Sequence, residues 1–188
     1  MRKNMDEKPA QRERKAPKKI SKKYLENAAL FYLRRYATSA ENLKRILLHK
    51  IKKSCTFHQA PVEDFIPLVD ELVARYIAVG LIDDAVFARG RVTSLRRQGL
   101  SKQAIMGRLQ SKGLSPSKIE EALRRVDAEQ GDPEIAAAIV YARRKKLGPW
   151  RKQPLADQKS RLKELAVLGR AGFSYDVARR ALKYTPEE

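Results

Sequence analysis

The stretch Leu95-Arg96-Arg97-Gln98-Gly99-Leu100-Ser101-Lys102-Gln103-Ala104-Ile105, continuing to Leu109 and Lys112, decides the fold. Shifting the chain by 62 residues lays Leu33, Arg34, Arg35, Ser39, Leu47 and Lys50 on Leu95, Arg96, Arg97, Ser101, Leu109 and Lys112, with Leu43 on Ile105. A shift of 59 then lays Gly113, Ser115, Ala122 and Leu123 on Gly172, Ser174, Ala181 and Leu182. Self-similarity of this length marks a repeat architecture, in which one small supersecondary unit is stacked on the next. The expected fold is all-α: three tandem three-helix repeats forming an elongated, curved, solenoid-like chain.

The local signals agree. Leu25, Ala28, Ala29, Tyr32, Leu33 and Tyr36 recur at helical spacing and define one apolar face. Thr38-Ser39-Ala40-Glu41 has the form of a capping box opening the next helix, which carries Leu43, Ile46, Leu47 and Ile51. Residues 53–60 read as a loop, and Pro61 as the first turn of a third helix that runs to Val79 and stops at Gly80. Pro67 predicts an irregularity near that start. Asp83-Asp84, Ser101, Ser115-Pro116, Asp132-Pro133 and Ser174 read as further helix starts, and Gly99, Gly113 and Gly172 as stops. The third repeat reads as a helix through Ala136, Ile139, Val140 and Ala142 to Leu147, a break at Gly148-Pro149, and a helix over residues 155–170. The expected divisions are a disordered basic arm over 1–23, then repeats over 24–80, 81–131 and 132–188.

The formal net charge is +19, from 41 Lys and Arg against 22 Asp and Glu. A field of that size favours polyanions or an acidic protein surface over a small neutral substrate. Residues 1–23 alone hold ten Lys or Arg against three acids, with few large apolar side chains. The arm could follow phosphates or serve only as a solvated tail.

Catalytic and metal chemistry find no foothold. The single cysteine, Cys55, cannot form an intramolecular disulfide. It reads as a spare thiol rather than a redox switch. His49 and His58 flank it but lack the further ligands that zinc requires. Asp83-Asp84 reads as a cap with favourable helix-end charge, not as a metal pair. No Ser/His/Asp arrangement and no phosphate-cradling Gly-Lys loop is present, so no enzyme activity, cofactor or metal is expected. No apolar run reaches the ~20 residues of a membrane span, and no secretory leader is visible, which leads to an expectation of a cytoplasmic protein without membrane contact.

Four segments, in this order, resemble the RecX family: residues 80–89 (Gly-Leu-Ile-Asp-Asp-Ala-Val-Phe-Ala-Arg), 97–105 (Arg-Gln-Gly-Leu-Ser-Lys-Gln-Ala-Ile), 109–114 followed by 119–123 (Leu-Gln-Ser-Lys-Gly-Leu, then Ile-Glu-Glu-Ala-Leu), and 170–177 (Arg-Ala-Gly-Phe-Ser-Tyr-Asp-Val). The resemblance covers residues 24–184 and leaves the basic arm outside. It implies a helical-repeat protein that lies in the groove of the RecA recombinase filament on single-stranded DNA, touches the DNA, and restrains recombinase, ATPase and SOS coprotease activities. A monomer is expected.

The basic residues at equivalent helix ends are the candidate contacts to RecA and DNA. They are Arg34 and Arg35 in the first repeat, Arg96, Arg97, Lys102 and Lys112 in the second, and Arg143, Arg144, Lys145 and Lys146 in the third. One or two cations near a helix C-terminus complement its dipole, worth ~0.3–1 kcal/mol; four in a row repel one another and ask for a partner. Trp150 and Arg151, in a basic loop, could form a stacking platform for a base, or Trp150 could fold back on the third core. A rival reading takes residues 101–126 as a helix–turn–helix for duplex DNA, which Glu120 and Glu121 on the second helix disfavour.

Overall fold

The structure, a computed structural model, describes residues 16–128, 131–152 and 158–184. The described residues contain helices and no strands: α1 (Lys22–Leu33), α2 (Ala40–His58), α3 (Ile66–Ala78), α4 (Asp84–Arg97), α5 (Lys102–Gln110), α6 (Pro116–Asp127), α7 (Pro133–Lys145), α8 (Gln158–Arg170) and α9 (Tyr175–Leu182). Single 3-10 turns at Glu63–Phe65 and Gly148–Trp150 precede α3 and follow α7.

These helices form three tandem three-helix repeats, each with its own core. Leu25, Leu43, Leu47, Ile51, Val69 and Val73 fill the first; Val92, Leu95, Ile105, Leu109, Ile119 and Leu123 the second; Ala137, Ala138, Leu168, Phe173 and Ala181 the third. Each fully buried Leu, Ile or Val contributes ~1.5–3 kcal/mol, so the alanine-rich third core is the weakest of the three. Small cores gain much from docking to a neighbour.

Helix starts follow the hydroxyl and carboxyl residues. Ser21, Ser101, Ser115 and Ser174 each accept a hydrogen bond from the third backbone N–H of the helix they open, and Asp83 and Asp132 do the same with a carboxylate. Stops follow glycine. Gly99, Gly113 and Gly172 have φ of +76°, +79° and +88°, and the residue after each donates back to Leu95, Leu109 and Leu168. That closes a left-handed C-cap, with Leu114 and Phe173 then buried against the helix just ended.

Several expectations are corrected. The cap of α2 is Ser39, whose hydroxyl accepts from Asn42 N–H at 3.2 Å, while Thr38 accepts from the Asn42 side chain. Residues 53–58 are helical, not loop, because the stripe Leu43-Leu47-Ile51 continues into buried Ser54 and Cys55 and no glycine interrupts it. The helix ends only where Gln59 turns left-handed at φ +53°. Pro61 lies before α3 rather than in it; Pro67 takes the first turn, after the 3-10 turn. α7 ends at Lys145 with Lys146 left-handed; the helix expected over 155–170 is described from Gln158 to Arg170, and residues 153–157 lie outside the described ones. Residues 1–15 also lie outside them. Residues 16–23 include an ordered strap: the carbonyls of Pro17 and Lys18 meet His58 Nε2 and Ser54 Oγ at 2.8 Å, and Ile20 packs on the first core.

The repeats are joined twice by the same device. At the first joint the Ser39 hydroxyl donates to the Lys112 carbonyl, and Ala40 N–H donates to Asp84 Oδ1 at 2.9 Å. At the second, Ser101 donates to the Ala171 carbonyl at 2.7 Å, and Lys102 N–H donates to Glu134 at 3.1 Å. In both, the start of one repeat's second helix rests on the glycine turn of the next repeat. Gly113 leaves room for Glu41, and Gly172 for Ser101.

Candidate nucleic-acid interface

Between the second and third repeats lies a cleft of about 640 Å³, walled by α4, the end of α6 and the first half of α7. Arg89, Thr93 and Arg97 reach it from α4, Arg125 from α6, and Pro133, Ala136 and Val140 form the facing wall. Arg89, Thr93 and Arg97 follow one another at four-residue spacing and so share a face of α4. Among the described residues neither Arg89 nor Arg97 is in ion-pair contact with a carboxylate, although Arg89 lies near enough to Asp83 to favour its charged form, and Arg125 has only the exposed Glu121 at 2.6 Å. A concave site with three guanidinium groups on one side and short apolar side chains on the other suits a phosphodiester strand.

Arg96 forms the floor. It is buried, and each nitrogen of its guanidinium is engaged. Nε and Nη2 donate to Asp127 at 3.0 and 2.7 Å, and Nη1 donates to Glu134 at 2.6 Å and to the Leu100 carbonyl at 3.2 Å. Burial alone would weaken its charge; the hydrogen bonds to Asp127 and Glu134 outweigh that and hold its pKa above the usual range. Arg96 therefore ties α4, α6 and α7 together and faces inward, rather than toward a partner. Gly99 completes the tie. A Cβ there would lie 2.7 Å from Tyr141 N and 2.9 Å from the Ala137 carbonyl, so only glycine lets the end of α4 touch the α7 backbone.

The remaining sequence candidates divide. Arg97 is exposed in the cleft, and Arg143, Lys145 and Lys146 are exposed at the end of α7. Arg144 donates to the Gln98 carbonyl and braces α7 against α4. Lys102 and Lys112 are exposed, with their main chains engaged in the two joints. Arg34 and Arg35 are exposed at the end of α1, away from this cleft, with Arg35 stacked on Phe31 at 4.0 Å. Trp150 is stacked on Tyr184, ring centroids 6.0 Å apart, and Arg151 is held by Glu164 through two hydrogen bonds at 3.2 and 2.8 Å. The loop's aromatic and its cation both face the third repeat. Sequence reasoning misses Arg89 and Arg125; the four-residue spacing of Arg89, Thr93 and Arg97 is the signal that could have found the face. α6, the second helix of the helix–turn–helix reading, buries Ile119, Ala122 and Leu123, and its Lys118 is paired with Asp84 at 2.9 Å.

No cluster of His, Cys, Asp and Glu side chains that could hold a metal ion occurs among the described residues, and no described helix is long and apolar enough to cross a membrane. Cys55 is buried.

Residues 83–123 match the family model of the second three-helix domain of RecX. The chain is 38% identical over 180 residues to the regulatory protein RecX of Myxococcus xanthus (strain DK1622), covering 96% of this chain and 95% of that protein. It is 26% identical over 163 residues to the regulatory protein RecX of Agrobacterium fabrum, covering 86% and 83%. The crystal structure of RecX from Lactobacillus salivarius superposes with a TM-score of 0.63 at 20% identity, over 86% of this chain and 94% of that one, a likeness of fold. By its match to the Myxococcus protein along nearly the whole of both chains, this chain belongs to the RecX family of regulatory proteins.

Proposed function

We propose that this protein binds the RecA filament on single-stranded DNA and restrains its recombinase, ATPase and SOS coprotease activities, acting as a non-enzymatic monomer in the cytoplasm. The observation that carries the reading is the arginine-lined cleft between the second and third repeats, on a chain of net charge +19. Arg89, Arg97 and Arg125 hold the phosphates there. Arg143, Lys145 and Lys146 continue the basic surface along α7, and Arg34, Arg35, Lys102 and Lys112 meet the filament on the other repeats. Arg96 and Arg144 act by holding the second and third repeats together, and Arg151 by bracing the third.

The mechanism is steric and electrostatic. A row of repeats spans neighbouring recombinase subunits and the strand between them, and such a bridge opposes the subunit movements coupled to ATP hydrolysis. The test is RecA ATP hydrolysis on single-stranded DNA with this protein titrated below one equivalent. Inhibition well below one regulator per recombinase is the expected result. No effect at a full equivalent overturns the reading. Tight, sequence-specific binding of duplex DNA would favour the helix–turn–helix alternative instead.

A further inference from the structure

The arginine cleft has a twin. Between the first and second repeats, α1 and the turn after it face the start of α4 across a cleft of about 740 Å³. The 62-residue repeat places Arg34 here where Arg96 lies in the arginine cleft. The chemistry is reversed. The lining is apolar: Leu30, Tyr36, Leu81 and Val86 are all exposed, at 38, 57, 46 and 55%.

The reason lies in two missing groups. In the arginine cleft, Asp127 at the end of α6 holds Arg96 and draws the walls together. The corresponding end of α3 is Ile77-Ala78-Val79 and offers no carboxylate. Gly99, which lets α4 touch α7, is replaced by Ala37. Arg34 is left at the rim without a carboxylate partner among the described residues, and Arg91 faces it from α4. Gly90 also lines the cleft, within α4. A Cβ there would meet nothing within 4 Å, so no internal contact requires glycine at this helical position.

We propose that this apolar cleft docks a peptide segment of the filament's protein component, one carrying apolar side chains flanked by Asp or Glu. The assignment rests on the filament reading above. The occupant follows from charge. Arg34 and Arg91 at the rim attract carboxylates, and the one acid lining the cleft, Asp83, is engaged by the N–H groups of Ala85 and Val86. A phosphodiester finds little to hold on an aliphatic lining. The chain's own residues 1–15 are strongly basic and match neither the lining nor the rim. A second copy would bring the same excess of positive charge. The two clefts thus divide the labour: one reads the protein of the filament, its twin the nucleic acid.

Gly90→Leu tests this in the full-length protein. Leucine is the better helix former and its side chain enters open space, so the fold is retained while the cleft is filled. Gly107→Leu on α5, where a Cβ also meets nothing within 4 Å, is the control. Binding is measured by anisotropy to the RecA–single-stranded DNA filament held in its ATP-bound form, and separately to bare single-stranded DNA. The expected result is a loss of about tenfold or more for the filament with Gly90→Leu, the scale of one excluded aliphatic side chain, with bare DNA affinity unchanged and the thermal midpoint not lowered. Gly107→Leu should behave as wild type. Undiminished filament binding by Gly90→Leu overturns the assignment, as does an equal loss for filament and bare DNA. Wild-type protein that binds the filament no better than bare DNA overturns the filament reading itself, and the assignment with it.

Discussion

Gly80→Ala and Gly99→Ala make a matched pair that isolates the contact between α4 and α7. Both glycines are left-handed, at φ +71° and +76°, so alanine meets the same backbone penalty at each, about 1–2 kcal/mol. At Gly80 a Cβ meets open space. At Gly99 it would lie 2.7 and 2.9 Å from backbone atoms of Tyr141 and Ala137, which cannot rotate away. α7 must withdraw, straining the Arg144 bond to the Gln98 carbonyl and the Arg96–Glu134 pair. Weakening two charge-assisted bonds adds about 2–3 kcal/mol. Gly80→Ala should therefore cost about 1–2 kcal/mol and Gly99→Ala about 3–5 kcal/mol. At ~2–4 °C per kcal/mol for a chain of this size, the thermal midpoints separate by roughly 5–10 °C, readable by circular dichroism. Because α4 and α7 wall the arginine cleft, Gly99→Ala should also weaken single-stranded DNA binding, while Gly80→Ala leaves it intact. Equal destabilisation by the two substitutions would refute the reasoning.

Arg97→Glu with Arg125→Glu should weaken single-stranded DNA binding and flatten its salt dependence by about 0.7 in the log–log slope for each phosphate no longer neutralised, measured by titration at several salt concentrations. Arg96→Met should destabilise by about 3–5 kcal/mol in urea unfolding, because Asp127 and Glu134 lose their cation, and adding Asp127→Leu and Glu134→Gln, the latter keeping an acceptor for Lys102 N–H, should recover much of that loss. Ser101→Ala should cost about twice as much as Ser174→Ala, roughly 2 against 1 kcal/mol by thermal unfolding, since Ser101 caps α5 and also donates to Ala171 whereas Ser174 only caps. Asp83 is held below the usual carboxylate range by the N–H groups of Val86 and Ala85. Its folded pKa is depressed, so its stabilisation is present above the unfolded value, about pH 4, and is lost as pH falls through the folded one. Asp83→Asn, which keeps the cap, should flatten the stability–pH curve below about pH 4.

The repeats, caps and stops are legible in the sequence because each is written in neighbouring residues. Ser101 lies three positions before the N–H it accepts from, and Gly113 directly follows the helix turn it ends. The run from Lys53 to His58 misleads for the complementary reason: a lysine, a serine and a threonine look like a loop, and only the placement of Ser54 under the Lys18 strap and of Cys55 in the first core shows why the helix goes on. The arginines are the least legible. Arg34 and Arg96 occupy the same place in two repeats, yet one is at a rim and the other is a buried clamp. The difference is made by Asp127 and Glu134, 31 and 38 residues from Arg96 in sequence. A helix-end position says where a cation is; only long-range geometry says whether its charge is free. Trp150 and Arg151 turn inward for the same reason, through Tyr184 and Glu164.

The serine–glycine joint has a consequence for how such chains can be lengthened or cut. One hydroxyl serves two clients: Ser101 accepts from its own helix at Ala104 and donates to its neighbour at Ala171. Folding of the unit and recognition of the next are thus a single act, and a half-formed unit offers no coupling for the one that follows. The coupling is also generic, since both halves recur unchanged at Ser39–Gly113 and Ser101–Gly172. A spliced-in unit with a capping serine at one end and a left-handed glycine turn at the other would find a ready fitting on each side. The number of units could then be set like links in a chain, and the reach of the molecule along its target with it.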